Sequence, residues 1–231
     1  EKVYMAVGNI GDNVYFFYNN YLPVALWSFN EGEGTTAYDS SGNGNDGTLQ
    51  NGPQWVDGID GGALEFDGEN DYVFINSIDS QDSFSRGTVC SWFNSKETWL
   101  QNHVRIISFA DGGDDYNDVL VQLKDNNLDV VVGNSNGWDR VTSNIVDYWD
   151  FFEWHHVCVT WNNIEGELFL YADSALVSSA DSSRTPLISQ GRFSGHISDS
   201  THPFNGYIDE VFIWNIALSP EEISELYESY A

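Results

Sequence analysis

The chain has 231 residues, of which 41% are hydrophobic and 15% aromatic, and this is enough to bury one large core in a single principal domain. Eight Lys and Arg side chains stand against 36 Asp and Glu, which gives a formal net charge of −28. Such a surface repels phosphate backbones and anionic lipid headgroups, so we expect no nucleic-acid partner and no direct membrane insertion. An acidic surface this dense favours a salt-adapted protein or one that binds calcium.

The first 22 residues stand apart from the rest of the chain. Segments 2–7 and 13–18 are strand-like, but they precede Pro23 and the long series of strands that follows it. We therefore divide the chain into an N-terminal extension, 1–22, and a sandwich domain, 23–231. The extension is open to three interpretations: an extra hairpin, the tail of a preceding domain, or a strand donated to a neighbouring molecule.

Alternation of apolar and polar residues with a period of two dominates the sandwich domain and predicts short strands. In chain order, the strand candidates are 24–29, 63–66, 72–75, 88–93, 105–109, 119–124, 128–132, 154–161, 167–171, 191–196 and 206–214. Clusters of Gly, Asn, Asp and Ser separate them, as turns between antiparallel strands require. The predicted fold class is all-β, a two-sheet antiparallel jelly-roll sandwich.

One helix is predicted near the C-terminus. Ser219 is a good N-cap, Pro220 suits the first helical position, and Glu222 completes a capping box. Ile223 and Leu226 follow on one face, so this short helix is expected to pack on the sandwich.

Several segments, in the right order, resemble the laminin-G-like, concanavalin A-like jelly-roll domains of microbial surface proteins. Two segments resemble the opening of these domains: LWSFNEGEGTTAYDSSGNGNDGTL at 26–49 and GALEFDGENDYV at 62–73. Their middle strand is similar to WHHVCVTW at 154–161, and their closing strand is similar to GYIDEVFIWNIALS at 206–219. The resemblance spans about 24–231. It is specific for the fold and weak for the ligand, because this family includes lectins, adhesins, carbohydrate-binding modules and spacers.

The extension carries a second, fainter resemblance. The segment NVYFFYNN at 13–20 is similar to the last strand of a small β-domain that often precedes laminin-G-like domains. Tyr15, Phe16, Phe17 and Tyr18 would form this strand, which needs a partner and makes it a candidate assembly strand.

The resemblance implies one structural Ca²⁺ between the Gly-rich loop 39–47 and the aspartate of the last strand. Carried over to this sequence, the ligands are Asp39, Asn43 and Asp209, assisted by nearby carbonyl oxygens. The alternative is that Asp39 caps a turn and Asp209 binds the backbone of a loop.

Two other groups of residues are candidates for ligand binding. Asp111, Asp114, Asp115 and Asp118 form an acidic loop that either binds a second cation, lines a glycan groove, or is simply solvated. Trp138 and Trp149, in a polar stretch, are candidates for stacking on sugar rings, whereas tryptophan in a sandwich is more commonly part of the core.

The two cysteines, Cys90 and Cys158, fall on strands that this fold can place side by side. They form either one disulfide or two buried thiols. His155 and His156 are adjacent on a strand, so their side chains point to opposite faces, cannot chelate one metal in the usual way, and are expected to be structural.

No arrangement of residues indicates catalysis. The sequence lacks the acidic motif of glycanases that share this fold, and Glu165 and Glu167 are better explained by a hairpin turn around Gly166. We therefore interpret the chain as an extracellular or cell-surface binding and adhesion module for a glycan or a surface glycoprotein. The alternative is a structural subunit of a filament, pilus or sheath built from copies of this chain; a glycan-cleaving enzyme is a minor third reading.

Overall fold

The computed structural model describes residues 5–10, 13–17, 22–78, 84–97, 103–110, 118–145, 149–195 and 202–231. The elements, in chain order, are β1 Met5–Ile10, β2 Asn13–Phe17, β3 Ala25–Trp27, β4 Thr36–Ala37, β5 Gly47–Gln50, β6 Gln54–Asp57, β7 Gly62–Asp67, β8 Tyr72–Ile75, β9 Arg86–Ser95, β10 Val104–Ala110, β11 Val119–Lys124, β12 Asn127–Asn134, β13 Gly137–Asn144, β14 His155–Asn162, β15 Glu167–Ala172, β16 Ala175–Asp181, β17 Gln190–Phe193, β18 Asn205–Trp214 and α1 Pro220–Glu228.

The strands of the sandwich form two antiparallel sheets. Sheet I has the order β13-β12-β11-β10-β17-β8-β5-β4, and sheet II has the order β16-β15-β14-β9-β18-β7-β6, with β3 paired to β18. The predicted all-β jelly-roll sandwich with a short C-terminal helix is confirmed.

The main core lies between the two sheets. Alternate residues of each strand point inward, as the period of two requires, and bulky aromatic rings fill the centre. Phe193 of sheet I meets the edge of Trp27 of sheet II at 5.1 Å between ring centroids and packs on Phe109 at 6.3 Å. Aromatic rings from both sheets therefore meet at the centre of the core.

Helix α1 covers the outer face of sheet II. The Ser219 Oγ accepts a hydrogen bond from Glu222 N, and the Glu222 carboxylate accepts one from Ser219 N at 2.8 Å, which is the predicted capping box. Ile223 is fully buried in a second apolar cluster that includes Leu26 and Phe212. The predicted packing of this helix on the sandwich is confirmed. The described residues contain no helix long and apolar enough to cross a membrane.

The N-terminal extension forms a separate two-stranded sheet. β2 pairs with β1 in antiparallel register, with Met5 opposite Phe17 and Val7 opposite Tyr15. β1 therefore supplies a partner within the chain for Tyr15, Phe16 and Phe17. The roles of this segment as the tail of a preceding domain or as an assembly strand stay predictions. Tyr18 lies outside the described residues.

Candidate functional site on the outer face of sheet I

The outer face of sheet I near its β13 edge combines an exposed aromatic ring with polar side chains. Within β13, Val141 points into the core, so the alternating positions Trp138, Arg140 and Thr142 point outward. Trp138 is 56% exposed. An exposed tryptophan beside arginine and threonine offers a flat apolar surface next to hydrogen-bonding groups.

Space for the Trp138 side chain depends on a glycine of the neighbouring strand. Gly133 lies directly opposite Trp138 in the β12–β13 pair. A Cβ atom on Gly133 would lie 2.8 Å from the Cβ of Trp138, closer than real side chains pack. The Gly137 carbonyl oxygen would also lie 2.8 Å away, so the close approach of β13 requires a glycine at position 133.

A row of polar side chains continues from Arg140 across the sheet. Arg140 Nε lies 3.1 Å from Asp129 Oδ1, Gln122 Nε2 donates to Asp129 Oδ2, and His103 Nε2 lies 2.5 Å from Gln122 Oε1. Asp129 and Gln122 are buried. Because buried polar groups bound at both ends lose their freedom to rotate, this row fixes the direction of the Arg140 side chain.

Burial and the neighbouring groups on this face of sheet I determine the charge state of His103. Burial lowers its pKa, and the positive charges of Arg105 and Lys124 lower it further, against the opposing hydrogen bond to Gln122 and the charge of Asp129. His103 is therefore neutral at pH 7, and the positive charge on this part of the face belongs to arginine and lysine.

The second tryptophan proposed for sugar stacking belongs to the core. Trp149 is 5% exposed, and its ring stacks on His155 at 4.4 Å and meets the edge of Phe93 at 5.5 Å. A ring covered in this way presents no free face to a sugar, so the stacking prediction is wrong for Trp149. Trp138 keeps the exposure that stacking needs.

The structure does not bring the three predicted calcium ligands together. Asp39 Oδ1 accepts hydrogen bonds from Leu26 N and Ser41 N, while Oδ2 accepts two from Asn45. Four donors use the carboxylate lone pairs that a cation would need. Asn43 directs its Nδ2 group to the Val24 carbonyl at 3.0 Å, which holds the loop closed without a cation.

Asp209 binds a different loop. Its Oδ2 accepts hydrogen bonds from Ile59 N at 3.0 Å and Asp60 N at 3.4 Å, and its Oδ1 accepts one from Glu210 N. Burial raises the pKa of Asp209 well above its usual value, although these backbone donors act in the opposite direction. The alternative stated above, in which Asp39 closes a turn and Asp209 binds loop backbone, describes the structure, and the predicted calcium triad does not.

The loop nevertheless contains one carboxylate oxygen suited to a cation. Glu31 Oε1 accepts a hydrogen bond from Tyr38 N at 2.7 Å, but Glu31 Oε2 is buried and has no hydrogen-bond partner. Burial raises the pKa of Glu31, and the charge of Asp46 adds to that effect. Asp46 accepts a hydrogen bond from Asp39 N through Oδ1. Calcium is bound by carboxylate and carbonyl oxygens. A carboxylate oxygen without a hydrogen-bond partner, near a second carboxylate, therefore suits calcium better than the predicted triad does. Sequence reasoning missed Glu31 because it precedes the Gly-rich loop.

The second predicted cation loop is described only at its end. Asp111, Asp114 and Asp115 lie outside the described residues. Asp118 is buried, and its backbone joins β10 to β12 through hydrogen bonds with Phe109 and Gly133. This position is part of the sheet rather than of a solvated loop.

The two cysteines are joined by a disulfide that lies under α1. Cys90 and Cys158 are directly opposite each other on β9 and β14. His156 lies beside them, and the potential ligand atoms of the three residues are within 4.8 Å of one another. In the described part of the chain, this is the only group of three or more His, Cys, Asp or Glu residues close enough to hold a metal ion. Because both sulfur atoms are in the disulfide, this cluster offers no thiolate to a metal.

A groove of about 410 Å³ runs between sheet II and α1. Phe169, Tyr171 and Leu176 give it an apolar floor, and Glu167 and Glu222 lie on its rim. Its size falls in the range of small-molecule sites. However, the Glu222 carboxylate is committed to the helix cap.

The sequence model of the concanavalin A-like lectin/glucanases superfamily matches residues 67–224. The chain belongs to this superfamily. The resemblance to laminin-G-like domains is thereby confirmed, and the structure described above is a lectin-like fold.

Among curated proteins, C-reactive protein 3.3 of Limulus polyphemus is 26% identical over 150 residues, which cover 60% of this chain and 60% of that protein. Pentraxin-4 of Homo sapiens is 31% identical over 84 residues, or 32% of this chain and 18% of that protein. The chain thus spans about 60% of the length of the C-reactive proteins that it matches.

Solved structures of botulinum neurotoxin binding domains are also similar. The receptor binding domain of botulinum neurotoxin D superposes with a TM-score of 0.73 at 17% identity, covering 90% of this chain and 52% of that one. The serotype D ligand binding domain in complex with N-acetylneuraminic acid gives 0.71 at 15% identity, covering 90% and 51%. At these identities the likeness shows the fold.

Proposed function

We propose that this chain is a non-catalytic, extracellular module that binds carbohydrate at the β13 edge of sheet I. The observation that carries the proposal is the exposed ring of Trp138 beside Arg140, whose direction is fixed by a buried row of polar groups. An aromatic face covers the C–H surface of a sugar ring, and the neighbouring polar groups bind its hydroxyls. The lectin-like fold and the sugar bound by one structural neighbour support the same reading.

The acidic groups support binding rather than hydrolysis. Asp129, the carboxylate bound to Arg140, is also held by Gln122 and is buried. Glu165 and Glu167 are exposed in the turn between β14 and β15, where Glu165 N donates to Asn162 Oδ1. A glycoside hydrolase requires two carboxylates facing one sugar linkage at a defined separation. Asp129 is held by Arg140 and Gln122, and Glu165 and Glu167 lie in an exposed turn.

We also propose a structural role for calcium. Glu31 and Asp46 would hold it, and its positive charge would stabilise the ionised carboxylates of this loop. The cation would stabilise the loop and take no part in binding sugar.

The test is affinity gel electrophoresis against a panel of soluble polysaccharides: dextran, galactan, xylan, alginate, polygalacturonate and dextran sulfate. We expect at least one of them to retard the protein, and Trp138→Ala to weaken that binding by about 30-fold or more, as for a binding hot spot of about 2 kcal/mol. Leu176→Ala, which truncates a 54% exposed side chain in the groove beside α1, serves as the matched control. Binding that depends on Leu176 and not on Trp138 would move the site to that groove.

A further inference from the structure

The outer face of sheet II is only partly covered by α1. Trp92, on β9, is buried, and its ring stacks on Tyr227 of the helix at 5.3 Å between ring centroids. Two residues further along β9, Asn94 points to the same outer face and is half-buried. Its partner on β18 is Tyr207, which is half-buried as well. The row of side chains just beyond the helix is therefore accessible to a ligand.

Aromatic residues gather around Asn94 in this row. The half-buried ring of Trp154 lies 6.1 Å from the ring of Tyr207, at an interplanar angle of 43°. Asn94 Nδ2 donates a hydrogen bond to the Phe152 carbonyl oxygen at 3.0 Å, which holds the turn before β14 against the row. We call Phe152, Trp154, Tyr207 and Asn94 the sheet II patch.

Phe152 is strained and exposed at the same time. Its φ is 70°, in the left-handed region that bulky residues rarely adopt. Phe29, with a φ of 47°, is fully buried, so core packing compensates for its strain. Phe152 is instead 58% exposed, and its neighbour Phe151 is the residue that packs against the core. Packing within the described residues does not account for a ring at position 152, whereas ligand binding would, because strained residues cluster at ligand sites.

The polar groups at the patch favour a neutral ligand. Lys96 Nζ lies 4.6 Å from the centroid of the Tyr207 ring and forms an ion pair with Glu65, so these two charges neutralise each other. In the part of the chain that the structure describes, no donor binds Asn94 Oδ1, which is free to accept a hydrogen bond. Glu153 is exposed beside the patch and disfavours anions. Aromatic rings next to a free amide oxygen suit a hydroxyl-rich molecule without charge.

We propose that the sheet II patch is a second saccharide-binding site, specific for a neutral sugar chain. The aromatic rings cover the C–H surface of the sugar, and Asn94 accepts hydrogen bonds from its hydroxyls. The outer faces of sheets I and II point away from each other, so this site and Trp138 lie on opposite faces of the sandwich. A molecule with two such sites binds two polysaccharide chains at once and cross-links them. The cross-linking rests on the function proposed above, whereas the sheet II patch does not.

The test removes the two sites separately. Phe152→Asn replaces the ring by a residue that tolerates a positive φ, and Ile164→Asn makes a matched change at a 64% exposed residue in the turn between β14 and β15. Each is made in the wild type and in Trp138→Ala. Retardation in gels that contain dextran, galactan or xylan measures binding, and the turbidity of mixtures with the same polymers measures cross-linking. Light scattering gives the mass of each protein alone, and thermal melting gives its stability.

We expect Trp138→Ala to keep residual binding to at least one neutral polymer, and Phe152→Asn in that background to weaken the residual binding by about tenfold or more. Each single variant should lose the turbidity that the wild type produces. Phe152→Asn should melt at the same temperature as the wild type or higher, because asparagine relieves the backbone strain. Ile164→Asn should change neither binding nor turbidity.

Two results separate this site from the one on sheet I. Binding that Trp138→Ala abolishes and Phe152→Asn leaves unchanged would overturn the second site and keep the proposed function. Binding that Phe152→Asn abolishes and Trp138→Ala leaves unchanged would support the sheet II patch and overturn the site at the β13 edge.

Three further results would overturn the sheet II patch as a saccharide site. No binding by any of the polymers would overturn both sites. A lower melting temperature of Phe152→Asn would show that the ring serves the fold. A smaller mass of Phe152→Asn than of the wild type would assign the patch to contact between copies of this chain.

Discussion

Cys90 and Cys158 lie directly opposite each other on β9 and β14, and a disulfide joins them across a sequence separation of 68. The bridge ties together the two central strands of sheet II beneath α1, where Ile223 and Phe212 pack around it. A cross-link that closes a loop of this length removes conformational freedom from the unfolded chain and stabilises the fold by about 4 kcal/mol in the loop-closure model.

The first prediction concerns this bridge. We expect Cys90→Ala/Cys158→Ala to lower the free energy of unfolding by about 3 to 4 kcal/mol, as measured by urea denaturation. The control is a reducing agent, which should destabilise the wild type and leave the double variant unchanged. A wild type that is equally stable with and without reductant would contradict a structural role for the disulfide.

The second prediction concerns pH. His156 is almost fully buried against Trp92 and Tyr227, and burial lowers its pKa to about 4, although the charge of Asp173 acts in the opposite direction. An unfolded histidine takes up its proton near pH 6.5. Between pH 6.5 and 4 the unfolded state therefore binds more protons, and stability falls as the pH falls, by up to about 3 kcal/mol from this residue.

His155 has the opposite effect. Burial opposes its charge, but hydrogen bonds to Asp173 and to the Asp150 carbonyl outweigh burial and raise its pKa, so its contribution is full below pH 6.5 and lost as the pH rises. The contribution of His155 to stability cancels when the wild type is compared with His156→Gln, because both proteins keep His155. Urea midpoints at pH 7.5 and 5 should differ more for the wild type than for the variant; equal differences would show that His156 does not carry the effect.

The third prediction concerns calcium. We expect Ca²⁺ to raise the melting temperature of the wild type relative to a chelator, because it would compensate for the buried carboxylate of Glu31. Glu31→Gln should abolish that rise and be at least as stable as the wild type in chelator at pH 7, since the charge that burial disfavours is gone. Asn43→Ala should lose some stability and keep the rise. If Asn43→Ala abolished the rise and Glu31→Gln kept it, the result would instead support the loop ligands predicted from the family resemblance.

The sequence predicted the buried strands much better than the edges of the sheets. β9 and β14 are buried on both faces, one in the main core and the other under α1, so they contain long runs of strand-forming residues. Ser219, Pro220 and Glu222 specify the start of α1. The edge strands β13 and β16 were missed, because most of their residues are exposed or half-buried and need no apolar alternation. The candidate site lies on one of these edges, where a local pattern is least informative.

The two tryptophans of the polar stretch show the same limit. Trp138 lies in the polar run NSNGWDR at 134–140, whereas Trp149 lies in the aromatic run YWDFF at 148–152; the contacts that bury one ring and expose the other come from distant residues. Trp149 is covered by Phe93 and His155, which belong to two strands of sheet II, whereas Trp138 lies opposite Gly133 at the edge of sheet I. The aromatic neighbours of Trp149 hint at a core position, but the covering residues themselves cannot be identified from the local sequence.

The fourth prediction separates these tryptophans by experiment. Trp149→Ala removes a buried ring from the core, so we expect the free energy of unfolding to fall by about 3 to 5 kcal/mol. Trp138→Ala removes an exposed side chain and should change stability by about 0.5 kcal/mol or less while weakening polysaccharide binding. Trp149→Phe keeps an apolar ring and should recover most of the stability. A large stability loss in Trp138→Ala, with no change in binding, would mean that this ring serves the fold and that it is not the ligand-binding site.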